Sequence, residues 1–245
     1  MTIATLLAAC TAGMESAGEC ARTLSPGDSI ASALSSLADG ETLCLSEGRF
    51  VLDAPLELRG LRDVTIAGAE VVFDEDAEEL PAEAGTVLDF AGAGGAGAAL
   101  AIADANGVTI RDLTIESPPA TGVAVSGSSE VTLRRVTVVQ AGAGARRTED
   151  GIRVSESSRV RIDGAQLLGG SRAGVSFSGC RECVVERSVV LEHLAGVLVT
   201  ESERCEVRES EIEINGIGVL VADLPSDPRT TRSIVVRNSL VLDSG

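Results

Sequence analysis

Val131-Thr-Leu-Arg-Arg-Val136 is one copy of a six-residue pattern that recurs along the chain. Apolar and variable residues alternate in each copy, and this period of two indicates a strand rather than a helix. Further copies begin at Val108, Val160, Cys183, Cys205 and Ile234, with an earlier member at Val64. Successive copies from Val108 onward are 22 to 29 residues apart. A turn of about 22 residues that holds three short strands is typical of a parallel β-helix coil.

A second series of strands keeps the same period. Its copies begin with glycine, followed by an apolar residue that we expect to point inward, at Gly122, Gly151, Gly174, Gly196 and Gly218. Two series in step predict coils that stack about 4.8 Å apart, with equivalent residues in columns along the axis. Leu198 and Leu220 fall in an outward column of this series. A folded-over insertion or a protein partner would cover them.

Composition restricts both the core and the function. The chain has 245 residues, of which 44% are hydrophobic, and this suffices for one substantial core. Its only aromatic residues are four Phe, so the core consists of small aliphatic side chains, and the usual stacking platforms for sugar rings are missing. The net charge of −17 excludes nucleic acid and anionic lipid as partners, and a single His excludes a multi-histidine metal site.

From about Cys20 to the C-terminus the repeat resembles the pectin-lyase-like superfamily. Pro26-Gly-Asp-Ser-Ile-Ala-Ser-Ala-Leu34 is characteristic of the N-terminal cap of that superfamily. Ser25 or Asp28 can cap a short helix here, and its apolar face would cover the open end of the core. The resemblance implies an all-β fold, a right-handed parallel β-helix with a short N-terminal capping helix, and a substrate groove along one parallel sheet.

The expected organisation has three parts. Residues 1–20 form a lipoprotein-signal-like segment and tether, 21–60 the N-terminal cap and first coil, and 61–245 the remaining coils. Leu7-Ala8-Ala9-Cys10 resembles a bacterial lipobox, in which the Cys is lipidated. No basic residue precedes it, so either the true start lies upstream or this is an ordinary apolar terminus. The apolar run is too short to span a bilayer, and we expect an extracellular, periplasmic or cell-surface protein.

The cysteines predict one cross-link, and a second one between Cys183 and Cys205 stays open. Cys20 and Cys44 flank the expected capping helix, where a disulfide would fasten the cap, and two buried thiols are the alternative. Cys180-Arg-Glu-Cys183 has the spacing of a redox or zinc pair, but no second pair exists. Cys183 and Cys205 share an inward column, which favours buried thiols.

Charged residues collect beside the Gly-led strands, where an insertion at 140–150 enters this sheet. Candidate catalytic residues are Glu149, Asp150, Arg153, Arg172 and His193, and candidate substrate-binding residues are Arg146, Arg147, Ser176 and Asn215. Carboxylates suit acid catalysis or Ca²⁺, the one cofactor that we consider, whereas arginines hold uronate carboxylates or act as the base of a lyase. The alternative is a surface ion-pair network, Glu149 with Arg172 and Asp150 with Arg153.

Thr148-Glu149-Asp150-Gly151 resembles the Asn-Thr-Asp-Gly segment of the polygalacturonase family, where the Asp belongs to the hydrolytic machinery. The family's Asp-Asp pair has no counterpart in the following coil, which carries Arg172 and Ala173 at those positions. A glycosidase needs two carboxyl groups about 5 to 9.5 Å apart, so Asp150 would lack its partner. His193 is a candidate general base near neutral pH, with a polar surface residue as the alternative.

The expected function is an exported β-helix protein that binds or modifies an extracellular polysaccharide, as a lyase, epimerase or hydrolase. The alternative is a noncatalytic cell-surface or adhesion module, in which the β-helix is a rigid spacer. The chain stops at Gly245 in mid-coil without a second cap. An open final coil predicts truncation, end-to-end association or another capping chain.

Overall fold

The structure is a computed structural model, and it describes residues 19–69, 85–139, 149–223 and 230–243. One helix, α1 (Ile30–Ser35), lies near its start. The strands are β1 Arg22–Leu24, β2 Thr42–Leu45, β3 Gly48–Val51, β4 Leu56–Arg59, β5 Thr65–Ala67, β6 Thr86–Asp89, β7 Ala98–Ala103, β8 Thr109–Glu116, β9 Thr121–Ser126, β10 Thr132–Val139, β11 Asp150–Ser155, β12 Arg161–Asp163, β13 Gln166–Leu168, β14 Ala173–Ser178, β15 Val184–Glu186, β16 Val189–Leu191, β17 Ala195–Thr200, β18 Glu206–Arg208, β19 Glu211–Asn215, β20 Ile217–Ala222, β21 Val235–Arg237 and β22 Leu240–Asp243. Cys10, Arg146 and Arg147 lie outside the described residues.

The strands wind into a parallel β-helix, as predicted. One coil consists of β12, β13 and β14, and each of these pairs in parallel with its equivalent in the next coil. The Gly-led strands form a seven-stranded sheet in the order β20-β17-β14-β11-β9-β7-β4. The other fifteen strands form a second sheet. In later coils a bend divides each turn of this sheet into two short strands, such as β12 and β13. The long strands β8 and β10 continue through the position of that bend, and β10 pairs with both β12 and β13.

The predicted columns of side chains are present. Val123, Ile152, Val175 and Val197 pair in register across four strands, and all four are fully buried. Aliphatic side chains fill most of this interior at the close packing that folded proteins require, but Phe50, Phe90 and Phe177 are also in the core, so the prediction of a core without aromatic rings is wrong at these positions.

Close approach between coils explains the glycine that begins these strands. A Cβ atom on Gly151 would lie 2.7 Å from the carbonyl oxygen of Gly174, the equivalent residue of the next coil. A Cβ atom on Gly174 would lie 2.8 Å from the carbonyl oxygen of Gly196 in the same way. Any side chain at these positions would push adjacent coils apart, so the glycine column fixes their spacing.

The helix α1 covers the first end of the core. Ile30, Ala33 and Leu34 are buried, which confirms the apolar face expected from the sequence. The capping residue is Ser29, whose hydroxyl accepts a hydrogen bond from the Ser32 N–H at 3.2 Å. The prediction that Ser25 or Asp28 caps the helix is therefore wrong.

A disulfide joins Cys20 to Cys44, with their Cα atoms 5.7 Å apart. It ties the residue that precedes the cap to β2, as the sequence suggested. Cys180, Cys183 and Cys205 are free, buried thiols. The chain therefore uses these three cysteines as small core side chains.

The last described strands leave apolar side chains exposed. Val221, Val235, Val236, Leu240 and Leu242 are each more than 40% exposed. Such a surface suits the predicted end-to-end association, which stays a prediction.

In the described part of the chain, α1 is only six residues long, and no helix has the length and apolarity of a membrane span.

Candidate functional site

Asp150 begins β11 and is fully buried beneath two arginines. The Nε atoms of Arg153 and Arg172 donate to its carboxylate at 2.6 and 2.7 Å, and Arg172 adds a second contact through Nη2. The Ser176 hydroxyl donates at 3.1 Å and the Ala173 N–H at 3.2 Å. The stacked register makes this possible, because Asp150 pairs with Ala173 and Arg153 with Ser176 on the next strand.

These contacts keep Asp150 ionised. Burial by itself would raise its pKa, but the hydrogen bonds and charges of Arg172 and Arg153 outweigh burial and hold the pKa below its usual range. A carboxylate that is ionised at every pH of interest cannot donate a proton to a leaving group. Asp150 therefore fits the role of an anchor for two arginines.

Arg153 and Arg172 reach the surface from this anchor. Their side chains remain 37% and 46% exposed. Arg153 also donates to the exposed carboxylate of Glu149 at 2.9 Å. Burial by itself would lower the pKa of Arg153. The hydrogen bonds and charges of Asp150 and Glu149 raise it by more, so the pKa of Arg153 is above its ordinary value. Arg153 is therefore a permanent cation and does not fit the base of a lyase.

The predicted ion pairs are only half right. Asp150 pairs with Arg153 as expected, but Arg172 pairs with Asp150 rather than with Glu149. Glu149 and Arg172 do share a column, since the Arg172 N–H donates to the Glu149 carbonyl oxygen at 2.9 Å. The network is also not a surface one, because the carboxylate at its centre has no access to solvent.

His193 is buried rather than a polar surface residue, with 4% of its area exposed. Burial lowers its pKa to about 4, against the weaker opposing effects of the Leu191 backbone, Asp150 and Asn215. Neither ring nitrogen makes a hydrogen bond of normal geometry to the described residues. A base poised near neutral pH needs a pKa near that pH, so this environment does not fit the predicted general base.

The two described candidates for substrate binding are buried as well. Asn215 accepts a hydrogen bond from the His193 N–H at 2.8 Å and donates to the Val190 carbonyl at 3.0 Å, which commits its amide to the backbone. The Ser176 hydroxyl is committed to its hydrogen bond with the Asp150 carboxylate. Neither arrangement fits the substrate contact expected from the sequence.

Sequence reasoning missed two further carboxylates that arginines surround in the same way. Arg111 and Arg135 both donate to buried Asp112 at 2.6 Å. Arg208 donates to fully buried Glu186 at 2.7 Å from 22 residues further on, the same separation as Arg172 from Asp150. An acidic residue followed by Arg one coil later is the signal that could have found the Glu186 site. Both sites lie on the fifteen-stranded sheet.

Metal ligands do not converge at any of these sites. Within the described ranges, no three His, Cys, Asp or Glu side chains are grouped as a metal ion requires.

Comparison with known proteins identifies the family. The model of the right-handed β-helix region matches residues 87–241. The chain belongs to this family. No curated protein matches the sequence. Among solved structures, the family 28 exopolygalacturonase of Yersinia enterocolitica has a TM-score of 0.61 at 9% identity, over 91% of this chain and 61% of that protein.

Two further β-helix structures are similar. A polygalacturonate lyase, fused with a self-assembling amphipathic peptide, has a TM-score of 0.53 at 9% identity, over 91% of this chain and 84% of that one. The catalytic domain of a GH87 α-1,3-glucanase has a TM-score of 0.51 at 13% identity, over 90% and 53% of the two chains. The β-helix thus spans less than two thirds of the exopolygalacturonase and of the glucanase domain. Likeness at such low identity establishes the fold alone, and together with the family model it confirms the predicted right-handed parallel β-helix.

Proposed function

We propose that this β-helix binds an acidic extracellular polysaccharide on the outer face of its seven-stranded sheet, through Arg153 and Arg172. The observation that carries the proposal is that buried Asp150 holds both guanidinium groups in place while 37% and 46% of the two arginine side chains stay exposed. A fixed guanidinium group is well suited to a carboxylate, since its planar donors can form two parallel hydrogen bonds. Several proteins with this fold carry names that state a polysaccharide substrate.

Binding is better supported than catalysis. Asp150 has no proton to give, because its pKa is lowered, and the raised pKa of Arg153 keeps that side chain protonated. Neither residue therefore fits the acid or the base that a lyase, epimerase or hydrolase requires. Binding an acidic ligand through ion pairs needs neither a general acid nor a general base.

The overall charge limits how such binding works. A net charge of −17 repels a polyanion at long range, so close contacts at the arginines must supply the affinity. At physiological salt the Debye length is about 8 Å, which screens the distant charges but leaves the direct contacts. We therefore expect measurable affinity near physiological salt and a slower association at low salt.

The experiment compares Arg172→Ala with Arg208→Ala. Both substitutions remove one arginine from a buried carboxylate, but Arg208 lies on the other sheet, so it controls for lost stability. Affinity for polygalacturonate and alginate, measured by isothermal titration calorimetry, should fall at least about tenfold for Arg172→Ala and stay unchanged for Arg208→Ala. Equal affinity of both variants and the wild type would refute the proposal. Incubation with the same polymers should release no unsaturated uronate products.

The second candidate function is a noncatalytic cell-surface or adhesion module. Leu198 and Leu220 favour it, because they follow Arg153 and Ser176 in one outward column and are partly exposed. A protein partner would cover such an apolar end of the column. Leu198→Asp should then abolish attachment to cells, whereas Arg172→Ala should not. Export, and lipidation at Cys10, belong to both proposals, and mass spectrometry of the protein from its native host tests them.

A further inference from the structure

A cavity of about 690 Å³ opens beside the arginine pair. It lies at the corner where β13, β16 and β19 turn toward the seven-stranded sheet. Its walls include Leu168, Gly170, Glu192, His193, Leu194 and Ile214. Ser171, which also lines it, directly precedes Arg172 in the chain. Ser171 therefore places the cavity, called the His193 pocket below, next to Arg172 of the proposed polysaccharide site.

His193 is a buried polar group without a partner in this pocket. The residue is only 4% exposed, and neither ring nitrogen makes a hydrogen bond of normal geometry to the described residues. Buried polar groups in folded proteins are nearly always satisfied, so an unsatisfied imidazole beside a cavity points to a ligand. A half-turn about the Cβ–Cγ bond exchanges the ring nitrogens with ring carbons and leaves the volume unchanged. The ring can therefore present a nitrogen to the pocket without disturbing the core.

The charge of the pocket argues against an acidic group. None of its described lining residues is cationic, and the exposed carboxylate of Glu192 stands at the rim. The low pKa of His193 keeps the imidazole neutral, so it offers one donor and one acceptor. A sugar hydroxyl, which both donates and accepts, matches that pair.

The apolar walls suit the carbon face of a sugar. Leu194 and Ile214 are 61% and 55% exposed, so the pocket presents an apolar surface that a sugar ring would cover. Leu168 continues the same apolar surface. Together with His193 they provide the combination of apolar wall and few polar groups that is typical of small-ligand sites.

We infer that the His193 pocket binds a neutral sugar unit, so that the preferred polysaccharide carries uncharged sugars next to acidic ones. This rests on the proposed function, because Arg153 and Arg172 would hold the neighbouring acidic unit. A polymer of uronate alone would place a carboxylate in a pocket that has no cation among its described lining residues and has Glu192 exposed beside it. A neutral polymer would leave the arginines without one.

The test uses three polymers and isothermal titration calorimetry on the full chain. They are polygalacturonate, a polymer in which uronate alternates with a neutral hexose, and a neutral glucan. The wild type should bind the alternating polymer at least about tenfold more tightly than polygalacturonate. His193→Phe, which keeps an aromatic ring without nitrogens, should remove that preference and leave polygalacturonate affinity unchanged. Arg172→Ala should weaken binding of both acidic polymers.

Two variants guard against a folding artefact. Leu194→Asp changes an exposed wall of the pocket and should also remove the preference, whereas Val51→Asp, at a residue 74% exposed outside the pocket, should not. Equal wild-type affinity for both acidic polymers, or an unchanged preference in His193→Phe and Leu194→Asp, overturns the inference and leaves the proposed function standing. Failure to bind either acidic polymer overturns both.

Discussion

Lowering the pH should destabilise this β-helix through His193, the one histidine of the chain. The pKa of an ordinary histidine is 6.5, and burial lowers that of His193 to about 4 in the folded protein. Between these two values the unfolded chain binds a proton that the folded chain does not. Stability is therefore complete above pH 6.5 and falls as the pH decreases toward the folded pKa.

The magnitude follows from the two pKa values. Their difference corresponds to a total loss of about 3 kcal/mol in the free energy of unfolding. About 2 kcal/mol of this should be lost between about pH 7 and about pH 5. Asp150 adds little in that range, since its pKa is lowered and its contribution is lost only below the ordinary value of 3.8. We therefore expect most of the slope above about pH 5 to come from His193.

Urea denaturation at several pH values measures this slope directly. His193→Gln cannot titrate, so its free energy of unfolding should be nearly independent of pH over the same range. Arg159→Ala, which removes an exposed ion pair with Glu130, should keep the wild-type slope. A wild-type stability that does not change between about pH 7 and about pH 5, or an equal slope in His193→Gln, would contradict the burial of a neutral imidazole.

Three other substitutions probe the supports of the fold. Asp150→Asn removes the charge between two arginines and should lower the free energy of unfolding by about 3 kcal/mol in urea denaturation; a loss of less than about 1 kcal/mol would mean that the arginines find other partners. Gly174→Ala would put a methyl group 2.8 Å from a carbonyl oxygen of the next coil and should cost about 1 to 3 kcal/mol, whereas Gly94→Ala, with open space around its Cβ, should leave the melting temperature unchanged. Equal melting temperatures of the two glycine variants would disprove the close approach of the coils. Cys20→Ser opens the disulfide to Cys44, at a sequence separation of 24, and should cost about 3 kcal/mol, as should reduction of the wild type. A cap that keeps its protection against proteolysis in Cys20→Ser would show that packing alone holds it.

The sequence was sufficient to predict the columns of this β-helix. Parallel strands in register place residues one coil apart directly above one another, so spacing translates into contact. The pairing of Arg153 with Ser176 and the burial of Ile152, Val175 and Val197 follow from this rule alone. Alternation within a strand then decides which side chains point inward.

The same rule fails at the corners between sheets. Glu192 and Ile214 have φ angles of +63° and +55°, in the left-handed region that breaks the alternation of a strand. Whether the next side chain points in or out cannot be extrapolated through such a residue. His193 and Asn215 follow directly after these positions, which is why their burial was not predicted.

Ion-pair partners and buried serines were missed for a related reason. An arginine is long enough to reach several carboxylates, so its column does not fix its partner, and Arg172 bonds Asp150 instead of Glu149. The Ser157 hydroxyl accepts a hydrogen bond from the Ser128 N–H of the preceding coil at 3.1 Å. A serine at a predicted turn usually bonds its own neighbouring backbone, so the sequence does not indicate a hydrogen bond to another coil.

The chain has three buried carboxylates that arginines surround, so a functional role for one of them has to be judged by comparison with the other two. At Glu186 and Asp112, on the fifteen-stranded sheet, the arrangement fixes adjacent coils, since each carboxylate bonds an arginine one coil further on. Asp150 does the same through Arg172, so its burial by itself indicates a structural role. What separates it from the other two is its position on the seven-stranded sheet, where Ser171 next to Arg172 lines the His193 pocket. A ligand effect at Arg172 without one at Arg208 is therefore the result that would assign function to the Asp150 site, because both arginines serve the same purpose in the fold.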